Sequence, residues 1–360
     1  MSEVKIGTTL LQSMVSRAVR GAGNNKLLPI TSLIAISASE GKLTLITTDA
    51  TNTLYIDGKL DSKDDFYAVV PVDLFSKLIA KFTCETVELA TDGQSLQVKG
   101  NGNYTLEMPV EEDGVVSYPD PLKTAVFDKG SVKINVTTLK RVYDTCSASV
   151  AVTLEEPCYT GYYITEKNCI TTDTMKACGV SADLLKGDPV LLSPEMMSLV
   201  NVFTDAEVNV SKSGAYRLFS SETCRLFGPV MEGIEDYEIE SISALLYDEK
   251  YPQSCKLTRA ILMEVLDRIA LFVSTYENRA VVLSFTADGL LVSNTKQSGT
   301  EKIAYMDSSK HKKFECTIDV QMLLTPLKAM SGDTIEVCFG LDNAIRIVDA
   351  DVTQVVSLLQ

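Results

Sequence analysis

The sequence has no tryptophan, a single histidine at His311 and no Cys-x-x-Cys pair. One imidazole excludes a histidine-pair metal site, and any Ser/His or Cys/His nucleophile system would depend on that ring. The nine cysteines, at 84, 146, 158, 169, 178, 224, 255, 316 and 338, are odd in number and never closer than nine residues. Such scatter predicts buried, reduced thiols rather than a disulfide framework or a zinc site. No apolar run approaches the ~18 residues of a membrane span, and the start, MSEVKIGTTLLQS, lacks the pattern of a secretory signal. A soluble, cytoplasmic protein is expected. GxxxxGK[ST], HExxH, GxSxG and an EF-hand loop are also absent, which leaves no ATP-driven step, no hydrolase motif and no expected cofactor or metal. Positive charge is scarce: 33 Lys and Arg face 48 Asp and Glu, a net charge of −15. Taken as an average, that argues against a nucleic-acid partner.

What is present is repetition. The 360 residues suffice for two or three domains, and an amphipathic segment recurs near the start of each third: Gly7 to Gly21, Thr137 to Val150 and Thr258 to Val273. A second set recurs in mid-third, at Val72 to Phe82, Ser193 to Phe203 and Asp319 to Met330. Alternating apolar residues bounded by Asp-Gly, Ser-Gly or Asp-Asn turns follow each one, the signature of antiparallel hairpins. Each third therefore reads as two copies of strand, helix and three strands, an α+β fold with its helices on one side of the sheets. Turn chemistry at Ser117-Tyr-Pro-Asp-Pro121 and around Leu245 to Gln253 places the boundaries, giving domains 1–122, 123–245 and 246–360.

The helices carry the functional signal. Leu10, Leu11, Met14, Val15, Ala18 and Val19 form an apolar stripe in the first, opposite Ser13, Ser16, Arg17 and Arg20. In the second, Leu74, Phe75, Leu78, Ile79 and Phe82 oppose Asp73, Lys77 and Lys81. Across the six segments nine bases stand against six acids, a net +3 within a chain of −15. Three of the acids, Asp73, Glu195 and Asp319, sit at helix starts, where the macrodipole favours them. A basic helix face on an acidic protein suits sequence-independent contact with phosphates.

The runs VSRAV (Val15 to Val19), NKLLPITSLIAISASEGKLTLITTD (Asn25 to Asp49) and VPVDLFSKLIAKF (Val70 to Phe82) resemble the bacterial sliding clamp, the β subunit of DNA polymerase III. The resemblance continues through SYPDP, ITTDTMKA (Ile170 to Ala177), EDY (Glu235 to Tyr237) and the Val355-Val356 ending. It implies three DNA-clamp domains per chain and a head-to-tail homodimer that closes a ring, with helices lining a hole around double-stranded DNA. The implied partners are a replicative DNA polymerase, a clamp loader and other proteins bearing clamp-binding peptides; the implied place is the nucleoid, with no membrane association.

Carried over residue by residue, the DNA-facing set is Arg17, Arg20, Lys26, Lys77, Lys81, Lys140, Arg141 and Lys328. The fourth segment departs, with an acid and no base, and Pro326 is expected to kink the sixth helix or shift its start. The partner-peptide groove maps to Tyr159, Thr172, Thr174, Met175, Lys176 and Ala177, with Val355, Ser357, Leu358 and Leu359 of the tail. Both stretches differ from the usual Thr-Asp-Gly-His-Arg-Leu and Met-Pro-Met-Arg-Leu patterns. Ring closure maps to Phe272 and Val273 at one end of the chain and to Tyr104 and Leu106 at the other. Lys310-His-Lys-Lys313 reads as a solvated loop. The competing reading is an acidic metal-dependent enzyme using carboxylate pairs such as Asp64 with Asp65 or Asp349 with Asp351.

Overall fold

The computed structural model describes residues 2–61, 64–111, 114–274, 276, 278–307 and 311–359. The chain forms two compact units, Met1–Thr137 with Glu195–Val230 and Thr138–Pro194 with Met231–Gln360.

The first unit holds a four-stranded antiparallel sheet in the order Ser2–Gly7, Thr86–Thr91, Ser95–Lys99, Asn103–Glu107. Its eight-stranded sheet runs Val132–Asn135, Glu207–Ser213, Tyr216–Ser220, Cys224–Pro229, Thr53–Lys59, Lys42–Thr48, Leu33–Ser39, Phe66–Pro71. Strands from two different thirds of the sequence meet in it, where Cys224 pairs with Ile56 and Arg225 with Tyr55. The second unit repeats the plan. Its eight strands run Val190–Leu192, Tyr162–Ile164, Asn168–Thr172, Lys176–Ser181, Val352–Ser357, Ala344–Asp349, Thr334–Phe339, Gln253–Thr258. The accompanying four run Thr300–Ile303, Gly289–Asn294, Ala280–Thr286, Phe314–Asp319.

Helices α1 (Thr8–Ala18), α2 (Val72–Ala80), α3 (Val136–Cys146), α4 (Pro194–Leu199), α6 (Arg259–Ile269) and α7 (Val320–Ala329) each follow one strand and precede three. Strand, helix and three strands thus occur twice in each third. The short α5 (Ile239–Ser243) was not expected, and the π-helical turn over Ala244–Asp248 that continues it runs into the boundary expected around Leu245 to Gln253. In α1 the buried face is Leu11, Met14, Val15 and Ala18, and Leu10 and Val19 are left largely exposed. In α2 Phe75 and Ile79 are buried while Leu74 is exposed. The stripes are narrower than the apolar residues alone suggested, because a short helix on a sheet buries only the side facing it. Helix α7 starts as expected, capped by Asp319, whose Oδ1 accepts from the amides of Gln321 and Met322 at 2.7 and 3.3 Å, and it runs on through Pro326.

The repeat extends to hydrogen bonds. Thr47 Oγ1 donates to the Ala18 carbonyl at the end of α1 at 2.6 Å, and Thr171 Oγ1 to the Cys146 carbonyl at the end of α3 at 2.9 Å. In the last third Asn294 Nδ2 donates to the Phe272 carbonyl at 3.2 Å. Each satisfies a helix-end carbonyl that would otherwise lack a partner. Eight cysteines are buried and Cys84 is half-buried. His311 departs from the solvated-loop reading: it is buried edge-on to Tyr305 and Phe339, with ring centroids 4.8 and 5.6 Å away, while Lys310 lies outside the described residues. No helix among the described residues is long and apolar enough to cross a membrane.

Candidate functional site

In the first unit α1 and α2 lie side by side. Gln12 Nε2 ties them by donating to the carbonyls of Ile79 and Phe82 at 3.0 and 2.9 Å. A cleft of about 650 Å³ opens between them, lined by Gln12, Ser13, Ser16, Val19, Ser76 and Lys77 among others. Arg20, Lys26 and Lys81 are exposed and form no ion pair among the described residues. Lys77 is exposed too, with Asp73 2.7 Å away one turn earlier. Arg17 is different: its Nε donates to the Val202 carbonyl at 2.8 Å and its Nη2 to Thr223 Oγ1 at 3.1 Å.

The bases of the second unit are mostly engaged. Arg141 forms a two-pronged ion pair with Asp351, one arm at 2.7 Å, and its hydrogen bonds hold the Asp351 carboxyl below the usual carboxylate range. Arg259 donates to the carbonyls of Gly332 and Leu327 at 2.7 and 3.0 Å. Arg268 meets Glu301 through two 2.8 Å bonds. Lys140 is half-buried. Lys328 is exposed, 3.8 Å from Asp267. Within the predicted DNA-facing set, the exposed bases with no ion pair among the described residues, Arg20, Lys26 and Lys81, thus lie on and just after the first helix pair, a distinction that counting residues by sign cannot make.

The groove positions come together. Tyr159, Thr172, Thr174, Met175, Lys176, Ala177, Val355 and Ser357 line one cavity of about 200 Å³. The strand pairing that brings the tail there sets Ala177 opposite Val355 and Lys176 opposite Val356. The turn leading into it is rigidly built: Asp173 Oδ1 accepts from the amides of Met175 and Lys176 at 3.0 and 2.7 Å, and Thr172 Oγ1 donates to the Lys176 carbonyl at 2.8 Å. Thr174 takes φ +71°, a left-handed conformation usually left to Gly, Asn or Asp. The turn at Thr48-Asp49 in the first unit has the same bonding, with Ala50 at φ +79°. Burial, then the negative charge of Glu238, push the Tyr159 hydroxyl up. Leu358 and Leu359 do not line the cavity; their amides donate to the carbonyls of Asn343 and Thr317 at 2.9 and 2.8 Å. Glu238, Ser241, Ile242 and Leu245 complete the wall. Sequence reasoning missed them because a five-residue helix is too short for a period to show.

The ring-closure candidates sit at sheet edges. Strand Asn103–Glu107 is an edge strand in the first unit, with Tyr104 39% exposed, its ring centroid 5.6 Å from that of Phe82, and Leu106 only 2% exposed in the unit's own core. Leu106 is thus turned away from any partner surface. In the second unit Thr300–Ile303 is an edge strand, and Phe272 is 53% exposed with Val273 half-buried. Two carboxylates of the competing enzyme reading are engaged by protein groups, since Asp349 Oδ2 accepts from the Gly332 amide at 2.7 Å and Asp351 is paired with Arg141, while Asp64 and Asp65 lie exposed. Among the described residues no group of three His, Cys, Asp or Glu could hold a metal ion.

A family model described as DNA polymerase III beta subunit, N-terminal domain, matches residues 3–115. No curated protein matches the chain. Solved structures match along its whole length. The DNA polymerase sliding clamp from Bacillus subtilis is similar at TM-score 0.85 and 16% identity, covering 100% of this chain and 99% of that one. The beta subunit from the DNA polymerase of Streptococcus pyogenes gives TM-score 0.86 at 17% identity, over 99% and 100%. The sliding clamp of Pseudomonas aeruginosa bound to griselimycin gives 0.84 at 17%, over 100% and 99%. With residues 3–115 matching the DNA polymerase III beta-subunit N-terminal domain and this likeness throughout, the whole chain has the bacterial sliding-clamp fold.

Proposed function

We propose that the chain is a non-enzymatic sliding clamp that encircles duplex DNA and tethers a replicative polymerase. Two copies close head to tail, residues 1–122 of one against residues 246–360 of the other, with 123–245 between, and a two-fold operation generates the ring. Arg20, Lys26, Lys77 and Lys81 face the phosphates, which they neutralise without reading bases. The cavity around Tyr159, Met175 and Val355 receives short apolar peptides of the polymerase, the clamp loader and repair proteins. Tethering by topology raises the polymerase's effective concentration at the primer end. A separate ATPase opens the ring, and the protein works on the nucleoid in the cytoplasm.

The observation that carries this reading is the sliding-clamp fold along the full chain, at TM-scores of 0.85 and 0.86. Its test is topological. Protein placed on a nicked circular plasmid by a bacterial clamp loader with ATP should co-elute with the plasmid and be shed once a restriction enzyme cuts the circle. Retention on cut DNA with open ends would overturn the proposal.

A further inference from the structure

The charge around the cavity at Tyr159 is one-sided. Glu238 lines it, and the segment from Met231 to Glu240 carries Glu232, Glu235, Asp236, Glu238 and Glu240, all exposed. Glu155 and Glu156, also exposed, precede the Pro157–Thr160 turn that presents Tyr159. None of these seven carboxylates forms an ion pair among the described residues. Their field reaches the site, since after burial the charges of Glu156 and Asp236 are what raise the Cys158 thiol. The one cation in the wall, Lys176, is already neutralised: its ammonium is bound to Asp173 and its side chain is only 13% exposed. The floor is apolar, from Met175, Ala177, Ile242, Leu245 and Val355.

We propose that this groove selects cationic partner peptides, in which a short apolar core is flanked by lysine or arginine. The proposal rests on the reading of the cavity as a peptide groove. The apolar floor supplies affinity, and the acidic rim supplies orientation and discrimination, because a glutamate-flanked peptide would bring like charges together.

Three fluorescein-labelled decapeptides test it, each with the core Leu-Leu-Phe and flanks of lysine, serine or glutamate, titrated with the full chain and followed by anisotropy. The lysine-flanked peptide should bind roughly tenfold more tightly than the glutamate-flanked one at low salt, a gap that narrows as salt shortens the screening length. The double change Glu235→Lys and Glu238→Lys should reverse the order. Met175→Asp should weaken all three, and Glu40→Lys, in an exposed turn of the other unit, should change none. Equal affinity for lysine and glutamate flanks overturns the charge preference and leaves the groove reading standing. Binding of none of the three, or binding indifferent to Met175→Asp, overturns the groove reading itself. Loss of the preference on Glu40→Lys would trace it to overall charge and overturn the proposal.

Discussion

The guanidinium of Arg17, a base on the polar face of α1, donates to the main-chain carbonyl of Val202 at 2.8 Å. Its second arm reaches Thr223, whose hydroxyl in turn donates to Asp205 at 2.8 Å. Sequence periodicity places Arg17 beside Arg20, yet the two do different work: Arg17 joins distant parts of one unit, and Arg20 is open to solvent.

Arg17→Ala should therefore destabilise the first unit by about 2 kcal/mol, the scale of hydrogen bonds to a charged group. Arg17→Lys should recover little, since an ammonium cannot reproduce the fork. Arg20→Ala should stay within about 0.5 kcal/mol, as exposed substitutions do. Urea midpoints at pH 7 for the three variants check this, and equal losses for Arg17→Ala and Arg20→Ala would refute the division of labour.

The open cations make a second prediction. Arg20→Glu with Lys81→Glu should flatten the dependence of DNA binding on salt, by about 0.9 in slope for each phosphate no longer neutralised, with unchanged thermal unfolding. Arg268→Ala should leave the slope alone, because that guanidinium is held by Glu301 through two 2.8 Å bonds. A change in slope of equal size for Arg268→Ala would show that pairing in the free protein does not decide which bases meet DNA.

Much of the architecture was legible because it is written in periods. Leu11, Met14, Val15 and Ala18 mark a helix by spacing, and the Thr-Asp corners at 48–49 and 172–173 mark equivalent turns. Eight of the groove positions met in one cavity because strand register, once set by Ala177 opposite Val355, fixes its neighbours. Pairing between side chains far apart in sequence left no such trace. Nothing local to Arg141 announces Asp351, 210 residues away, and nothing local to Leu106 says that its strand turns it inward. Glu238 to Leu245 escaped because a helix of five residues is too short to show a period, and the turn chemistry expected from Leu245 onward hid the π-helical turn that continues it.

Acid should loosen the first unit through Asp57. The residue is buried, with Arg225 Nε and Nη2 each at 2.9 Å, Lys42 Nζ at 2.8 Å and Thr44 Oγ1 at 2.8 Å. Burial alone would raise its carboxyl, but the bonds from Arg225, Lys42 and Thr44 outweigh burial and hold it below the ordinary value. A carboxyl whose folded pKa is depressed contributes stability above its unfolded pKa of about 3.9, and loses it as pH falls through the folded value. Unfolding midpoints should drop between about pH 4 and pH 2, and Asp57→Asn should shrink that part of the drop. The variant should also cost about 3 kcal/mol at pH 7, since it leaves Arg225 without its carboxylate. An acid response identical in wild type and Asp57→Asn would assign it elsewhere.

Ring closure makes the sharpest demand on surfaces that a single chain leaves unfinished. Strands Asn103–Glu107 and Thr300–Ile303 each end a sheet, and such an edge presents unpaired main-chain donors and acceptors. Leu271 and Phe272, exposed large apolar side chains just after α6, would be solvated at a cost in a monomer and covered in a dimer. Phe272→Asp should shift sedimentation at micromolar concentration from twice the chain mass to the chain mass, with circular dichroism and melting temperature of the separate chain preserved. A dissociation constant raised about 100-fold corresponds to ~2.7 kcal/mol, within reach of one desolvated aromatic anchor. Tyr104→Asp, from the opposite edge, should act in the same direction. Leu106→Asp should instead unfold the first unit, because its side chain is buried at 2% exposure and an unpaired carboxylate there has no partner. If the wild-type protein sediments as a monomer at micromolar concentration, or if Phe272→Asp leaves the dimer intact, the head-to-tail ring fails and with it the reading of these two edges as its seam.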